Sequence, residues 1–217
     1  MTIIKEIMNQ SQYDNFGIIA DSHGKFEKLA KAIKFLRDND CKKIFHLGDI
    51  CDSFQPGTCN QCIEALKKEN VIAVKGNNDH VLEINQMDYN ESLVSRSSIS
   101  YLQALPPVFE YKNAIFAHSL PFFKELGISC ITKVMGKAEI NKFFSEPHNK
   151  ILFRGHNHYP EIIWIEEKII KSEKLLTGQK ISLDNRLPCI VTCGALTRGL
   201  CLIWNIRENE LKSLSFK

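Results

Sequence analysis

The chain is 217 residues long, with 44% hydrophobic, 24% charged and 9% aromatic residues. At roughly 150 residues per domain this is one large domain, residues 1–217, with enough chain for a full core and a composition that excludes global disorder. Lys and Arg number 28 against 25 Asp and Glu, a formal charge of +3, which is too small to indicate extended contact with a nucleic-acid backbone.

In chain order, residues 16–20 form a short apolar run that stops at Asp21. Phe26, Leu29, Ala30, Ile33 and Leu36 follow at helical spacing, with lysines on the other faces. Residues 44–47 read as a second strand ending at Gly48-Asp49, residues 60–69 as a helix, and residues 71–74 as a third strand ending at Gly76-Asn77. This βαβαβ pattern predicts a parallel sheet with helices on both faces.

The second half is richer in strands, predicted at 108–111, 114–117, 151–153, 161–165, 168–172, 180–183, 188–192, 200–206 and 211–216. Turn-like breaks between several of them predict a mostly antiparallel second sheet packed on the first. One helix is expected near residues 137–144.

No long apolar segment with a cleavage site opens the chain, and no run approaches the roughly 18 apolar residues of a membrane span, so a cytoplasmic location is expected. In that compartment the 8 cysteines are expected as reduced thiols. Cys59 and Cys62 form a CxxC, but Cys189 and Cys193 make a poor second pair for a structural zinc, so buried thiols are the preferred reading over a zinc or redox site.

The 7 histidines are placed differently. Asp21-Ser22-His23, Gly48-Asp49, Gly76-Asn77-Asn78-Asp79, His118 and Gly155-His156-Asn157-His158 each follow a predicted strand, and ligands of open α/β sheets bind outside the carboxyl ends of strands. Any one of these pieces is weak. Five in this order are not a chance set. Mixed oxygen and nitrogen donors suit Mn, Fe, Zn or Ni, and the number of ligands fits two ions better than one. Asp21, His23, Asp49 and His158 are assigned to the first, and Asp49, Asn77, His118 and His156 to the second, with Asp49 bridging. Two ions about 3.5–4 Å apart suit in-line phosphoryl displacement.

These ordered motifs resemble those of the calcineurin-like metallophosphoesterase superfamily over about residues 16–200, with the nearest likeness to its small bacterial and archaeal phosphodiesterase-like branch. The resemblance implies an α/β fold, a four-layer αββα sandwich of two mixed β-sheets flanked by helices. It implies two divalent ions, Mn first, with Fe, Zn, Ni or Mg as alternatives. The implied activity is hydrolysis of small or nucleotide-like phosphodiesters by a hydroxide bridging the metals. Asn78 and Asp79 fall at catalytic positions, and Asn78 and Arg198 at substrate-binding ones. Where relatives read GNHD or GNCD, this chain has Asn78, which bonds phosphate oxygen but supplies no proton near neutral pH.

Other residues are read more plainly. His80 is weighed as a substitute acid against a solvated or capping role, His46 as packed beside the site, and His148 as exposed. Arg154, like Arg198, is a candidate phosphate contact, and Phe122 and Phe123 are read as a stacking wall, a lid or core. Alternatives to the diesterase are a phosphomonoesterase, a nucleotide pyrophosphohydrolase and a non-catalytic protein-binding scaffold of the same fold. Ser53, where Ser/Thr protein phosphatases have an Arg, argues against that class. The expected partner is a small phosphorylated substrate, with no membrane. Self-association into a homo-oligomer is left open.

Overall fold

The computed structural model describes residues 15–86, 93–145 and 148–216. The first ten residues, read above for targeting signals, lie outside these. No helix among the described residues is long and apolar enough to cross a membrane.

In chain order the elements are β1 (Asn15–Ile19), α1 (Phe26–Asp38), β2 (Lys43–His46), α2 (Cys59–Lys68), β3 (Ile72–Ala73), α3 (Asn77–Gln86) and α4 (Arg96–Ala104). Then come β4 (Val108–Tyr111), β5 (Ala114–Ala117), α5 (Phe123–Leu126), α6 (Lys137–Ser145), β6 (Ile151–Arg154), β7 (Glu161–Glu166), β8 (Ile169–Lys174), β9 (Lys180–Ser182), β10 (Cys189–Thr192), β11 (Leu200–Asn205) and β12 (Glu210–Ser215).

Two six-stranded sheets result, in the orders β3-β2-β1-β11-β12-β9 and β4-β5-β6-β10-β7-β8. Both are mixed. β1, β2 and β3 run parallel in the first sheet, and β5, β6 and β10 in the second, while the remaining pairs are antiparallel.

Side-chain alternation explains the layering. In β5, Ala114 and Phe116 face the first sheet, while Ile115 and Ala117 face the segment that includes Cys130, Ile131 and Phe143. In β1, Phe16 and Ile18 face the second sheet, while Ile19 packs with Leu29, Ile33 and Leu36 of α1 and Cys62, Ile63 and Leu66 of α2. The result is four layers: helices, sheet, sheet, helices.

The expected parallel sheet with helices on both faces is therefore corrected. Helices cover one face of the first sheet and the second sheet covers the other. Either covering buries both faces of a strand and yields the same unbroken apolar run. The expected division by chain half also fails, because β9, β11 and β12 return to extend the first sheet.

An aromatic ladder joins the sheets just beneath the loops that matter. Phe45 of β2 stacks on Phe116 of β5 at 4.1 Å, Phe116 on Phe153 of β6 at 5.5 Å, and Phe153 meets Trp204 of β11 at 5.2 Å. Burying each ring is worth about 1.5–3 kcal/mol, and each ring pair about 0.5–1.5 kcal/mol more. Phe45, Phe116 and Phe153 each lie two to four residues before a candidate ligand, so the ladder fixes the spacing of ligands carried by different sheets.

Candidate metal centre

The candidate ligands all follow parallel strands: β1, β2 and β3 of one sheet, and β5 and β6 of the other. The backbone of residues 21–24 continues the pairing of β1 with β2, since Asp21, His23 and Gly24 donate to the carbonyls of Gly48, Asp49 and Ile50. Gly155 N–H donating to His118 O extends the pairing of β5 with β6, and the second sheet is tied to the first by His118 Nδ1–H donating to Leu47 O at 2.8 Å.

Two clusters form around Asp49. In one, His23 Nε2 and His158 Nε2 are 3.2 Å apart, His158 Nε2 is 3.8 Å from Asp21 Oδ1, and His23 Nε2 is 3.8 Å from Asp49 Oδ2. In the other, Asn77 Oδ1, His118 Nε2 and His156 Nδ1 are mutually 2.9–3.1 Å apart, and His118 Nε2 is 3.5 Å from Asp49 Oδ1. Donor atoms of Asp21, His23 and His158 lie within 4.8 Å of one another, as do those of Asp21, Asp49 and His118. The seven sequence-predicted ligands are thus together, with one oxygen of Asp49 turned to each cluster.

The donor chemistry fits divalent ions. Asp21 and Asp49 are 0% and 3% exposed, and the nearby guanidinium, Arg154, is spent elsewhere. Burial, and next the charge of Asp49, push the Asp21 carboxyl well above the usual range. Burial, then His118 and Arg154, hold His156 down at about 4; burial likewise lowers His118 and His158. Near neutral pH His118, His156 and His158 are therefore unprotonated and able to ligate, and a cation would relieve the crowded carboxylates. The Leu47 carbonyl takes the Nδ1 proton of His118, leaving Nε2 free to ligate.

Five ligands occupy the left-handed region of backbone space: Asp21 (φ 56°), His23 (42°), Asp49 (55°), His156 (69°) and His158 (61°). Side chains other than glycine are uncommon there, and such strain of about 1–3 kcal/mol per residue concentrates at functional sites. Two glycines allow the approach of the loops. A Cβ on Gly48 would meet Gly76 N at 2.6 Å, and one on Gly76 would land on the Asp49 backbone nitrogen and carboxylate.

Residues outside the ligand set sort differently from their sequence reading. Asn78 donates from N and Nδ2 to the two Asp49 oxygens, both at 2.8 Å, and accepts from Ser53 Oγ at 2.8 Å. Asp79 is fully buried, and its carboxylate accepts from the N–H groups of Ile50, Cys51 and Gly76. Burial, and next Asp49, push Asp79 up to about 7. Both residues, expected at catalytic positions, hold Asp49 and its loop in place.

Arg154 is 2% exposed and bonds Ser119 O, Ser119 Oγ and Thr192 Oγ1, so it is a structural strut and not a phosphate contact. Arg198 is exposed at the rim, its Cζ 4.1 Å from the Tyr159 ring centroid and its Nη2 donating to Tyr159 Oη. His80 Nδ1 faces Glu83, 3.7 Å away, which also pairs with Lys75. His46 is buried with Nε2 at 2.9 Å from Ser22 Oγ. His148, expected exposed, is half-buried: it bonds Phe143 O and packs on the Phe143 ring. Phe122 packs on the core beside α6, and Phe123 is exposed. All eight cysteines are buried and free, Cys51 and Cys59 lying with sulfurs 2.6 Å apart. Sequence reasoning missed Ser22 and Ser53, for which short hydroxyls beside ligand loops were the available signal.

Comparison with known proteins agrees with this geometry. The chain is 26% identical over 195 residues to the uncharacterized protein MJ0912 of Methanocaldococcus jannaschii, covering 82% of this chain and 74% of that protein. The fold is similar to a metallophosphoesterase from Sphaerobacter thermophilus, with a TM-score of 0.78, 18% identity and coverage of 94% and 89% of the two chains. It is also similar to an archaeal phosphodiesterase, with a TM-score of 0.51, 15% identity and coverage of 93% and 99%. Residues 15–175 match the model of the calcineurin-like phosphoesterase superfamily domain, and the chain belongs to that superfamily.

Proposed function

We propose that this protein is a two-metal phosphodiesterase acting on small or nucleotide-like phosphate esters in the cytoplasm, with Mn as the first choice of ion. The observation that carries the reading is Asp49, whose two carboxylate oxygens face two separate clusters of imidazole and amide donors. Asp21, His23, Asp49 and His158 would hold one ion, and Asp49, Asn77, His118 and His156 the other. Two such ions supply a water acidic enough to ionise near neutral pH and positive charge against the phosphate oxygens.

The protein's own part is placement. Asn78 fixes the rotation of Asp49, Asp79 fixes the loop beneath it, and Arg198 at the rim offers a guanidinium to a phosphate oxygen. The amide of Asn78 provides no proton to a departing alkoxide, which favours esters with good leaving groups. That preference supports diesters with acidic leaving groups over alkyl monoesters. The filled ligand set speaks against a scaffold.

The test is hydrolysis of bis(4-nitrophenyl) phosphate and 4-nitrophenyl phosphate with added Mn across pH, in wild type, Asp49→Asn and His156→Ala. The expected result is diester turnover that both substitutions abolish. Turnover indifferent to Asp49, or none with any divalent ion, would sink the reading. Asn78→His is expected to raise kcat/KM on an alkyl ester relative to a nitrophenyl ester by ~10-fold or more, by supplying the missing acid.

A further inference from the structure

The cleft does not end at the ions' ligands. From His23 a cavity of about 750 Å³ runs between the start of α1 and the loop of residues 52–58. That is within the ~300–1,000 Å³ of ordinary ligand sites. Its walls are of two kinds. Phe54, Pro56 and Leu93 are apolar, and among the described residues Phe54 is 93% and Leu93 68% exposed. Lys25 and Lys28 supply positive charge, offset in part by Glu27.

Single exposed apolar residues are common and need no explanation. Phe54 differs in how it is held. Its N–H and that of Gln55 both donate to Asp52 Oδ1, at 2.8 and 3.1 Å, which closes a rigid turn. The preceding residue, Ser53, bonds Asn78 Oδ1, and Asn78 in turn bonds both oxygens of Asp49. A short hydrogen-bonded chain therefore anchors the backbone that carries an uncovered aromatic ring to the carboxylate between the two clusters. An exposed ring on an anchored loop next to a phosphate site suits a planar group that stacks.

We propose that Phe54 is the stacking wall of a subsite for an aromatic substituent, an aryl ring or nucleobase, carried on the phosphate ester. The proposal rests on the phosphoesterase reading and adds its substrate class. Lys25 and Lys28 favour an anionic ligand at the mouth, and Phe54 ranks esters by what they carry beyond the phosphorus.

The experiment compares binding of benzylphosphonate and methylphosphonate to the Mn-loaded protein by titration calorimetry. Their C–P bonds do not hydrolyse, so the readout is affinity alone. Wild type is expected to prefer the benzyl compound by ~5-fold or more, the lower bound of what an aromatic stacking partner contributes. In Phe54→Ala the ratio is expected to fall towards one, and in Phe54→Trp to be kept. Phe54 has almost no packing to lose, so both variants fold. An equal ratio in wild type and Phe54→Ala overturns the proposal. So does an unchanged ratio accompanied by a shift from dimer to monomer in sedimentation, which would assign Phe54 to a contact between copies. Failure of the phosphoesterase reading shows separately, as diester turnover that persists in Asp49→Asn.

Discussion

The two clusters around Asp49 each set two imidazoles beside one further oxygen donor, Asp21 or Asn77, but their histidines stand at different depths. His118 is completely buried, and its second ring nitrogen is fixed by the Leu47 carbonyl, so the cluster it forms with Asn77 and His156 is part of the sheet-to-sheet junction. His23 and His158 have side chains 20% and 35% exposed and meet edge to face at the open end of the cleft. The inner cluster is anchored in the fold through His118, and the outer one opens to solvent through His23 and His158. Preorganised ligands hold an ion more tightly than ligands that must be gathered from solvent. A chelator is therefore expected to remove one equivalent of metal well before the second.

The largest effect should come from the residue both clusters lean on. Gly76→Ala would drive a methyl group into Asp49. Displacing the shared carboxylate should empty both sites and lower kcat/KM by ~10² or more, the scale of a 1 Å misplacement. Elemental analysis decides whether the clusters are coupled. Retention of one full equivalent of metal would show that the inner cluster does not need Asp49, and the comparison would fail.

Next come the two histidines themselves. His118→Ala should lose the inner ion and also leave the buried Leu47 carbonyl unpaired, at a cost of about 1–3 kcal/mol in urea unfolding of the metal-free chain. His23→Ala should lose the outer ion with a stability change within about 0.5 kcal/mol. Equal destabilisation by the two substitutions would erase the distinction between a structural and an open cluster.

The depth difference was not legible in the sequence, although the set of candidate ligands that the fold brings together was. Asp21, His23, Asp49, Asn77, His118, His156 and His158 could be picked out because each combines a ligating side chain with a strand end, and strand ends follow from apolar runs. The left-handed backbone of Asp21, His23, Asp49, His156 and His158 could not, because Asp and His take that conformation only where surrounding loops impose it. Helices α3 and α4 were missed for local reasons: α3 begins on the ligand Asn77, and α4 is rich in serine, a middling helix former. Arg154 was misread because a charged residue near a strand end has the same sequence signature whether it faces the cleft or the interior. The exchange of β9, β11 and β12 between sheets is a matter of long-range pairing that no local pattern encodes.

The smallest predicted effect probes the ground between the inner cluster and the helices. His46 is buried, touches Ser22 Oγ, and is held down at about 3, by burial first, then by His118 and His23 against the opposing pull of Asp49. The unfolded chain takes up this proton near the ordinary value of about 6.5, and the folded chain does not until about 3. Between those values the unfolded state binds more protons, so stability falls as pH falls, by up to about 1.4 kcal/mol per pH unit from this residue. Other groups titrate in the same window, Asp79 with the opposite sign because burial and Asp49 raise it. The difference between wild type and His46→Gln isolates the one contribution, since the amide can keep a hydrogen bond to Ser22 but takes no proton. Urea unfolding at pH 7.0 and 5.5 should show wild type losing about 1.3 kcal/mol more than the variant. Parallel losses would mean that His46 accepts its proton in the folded chain, and that the layer beneath the metal ligands is wetter than its burial implies.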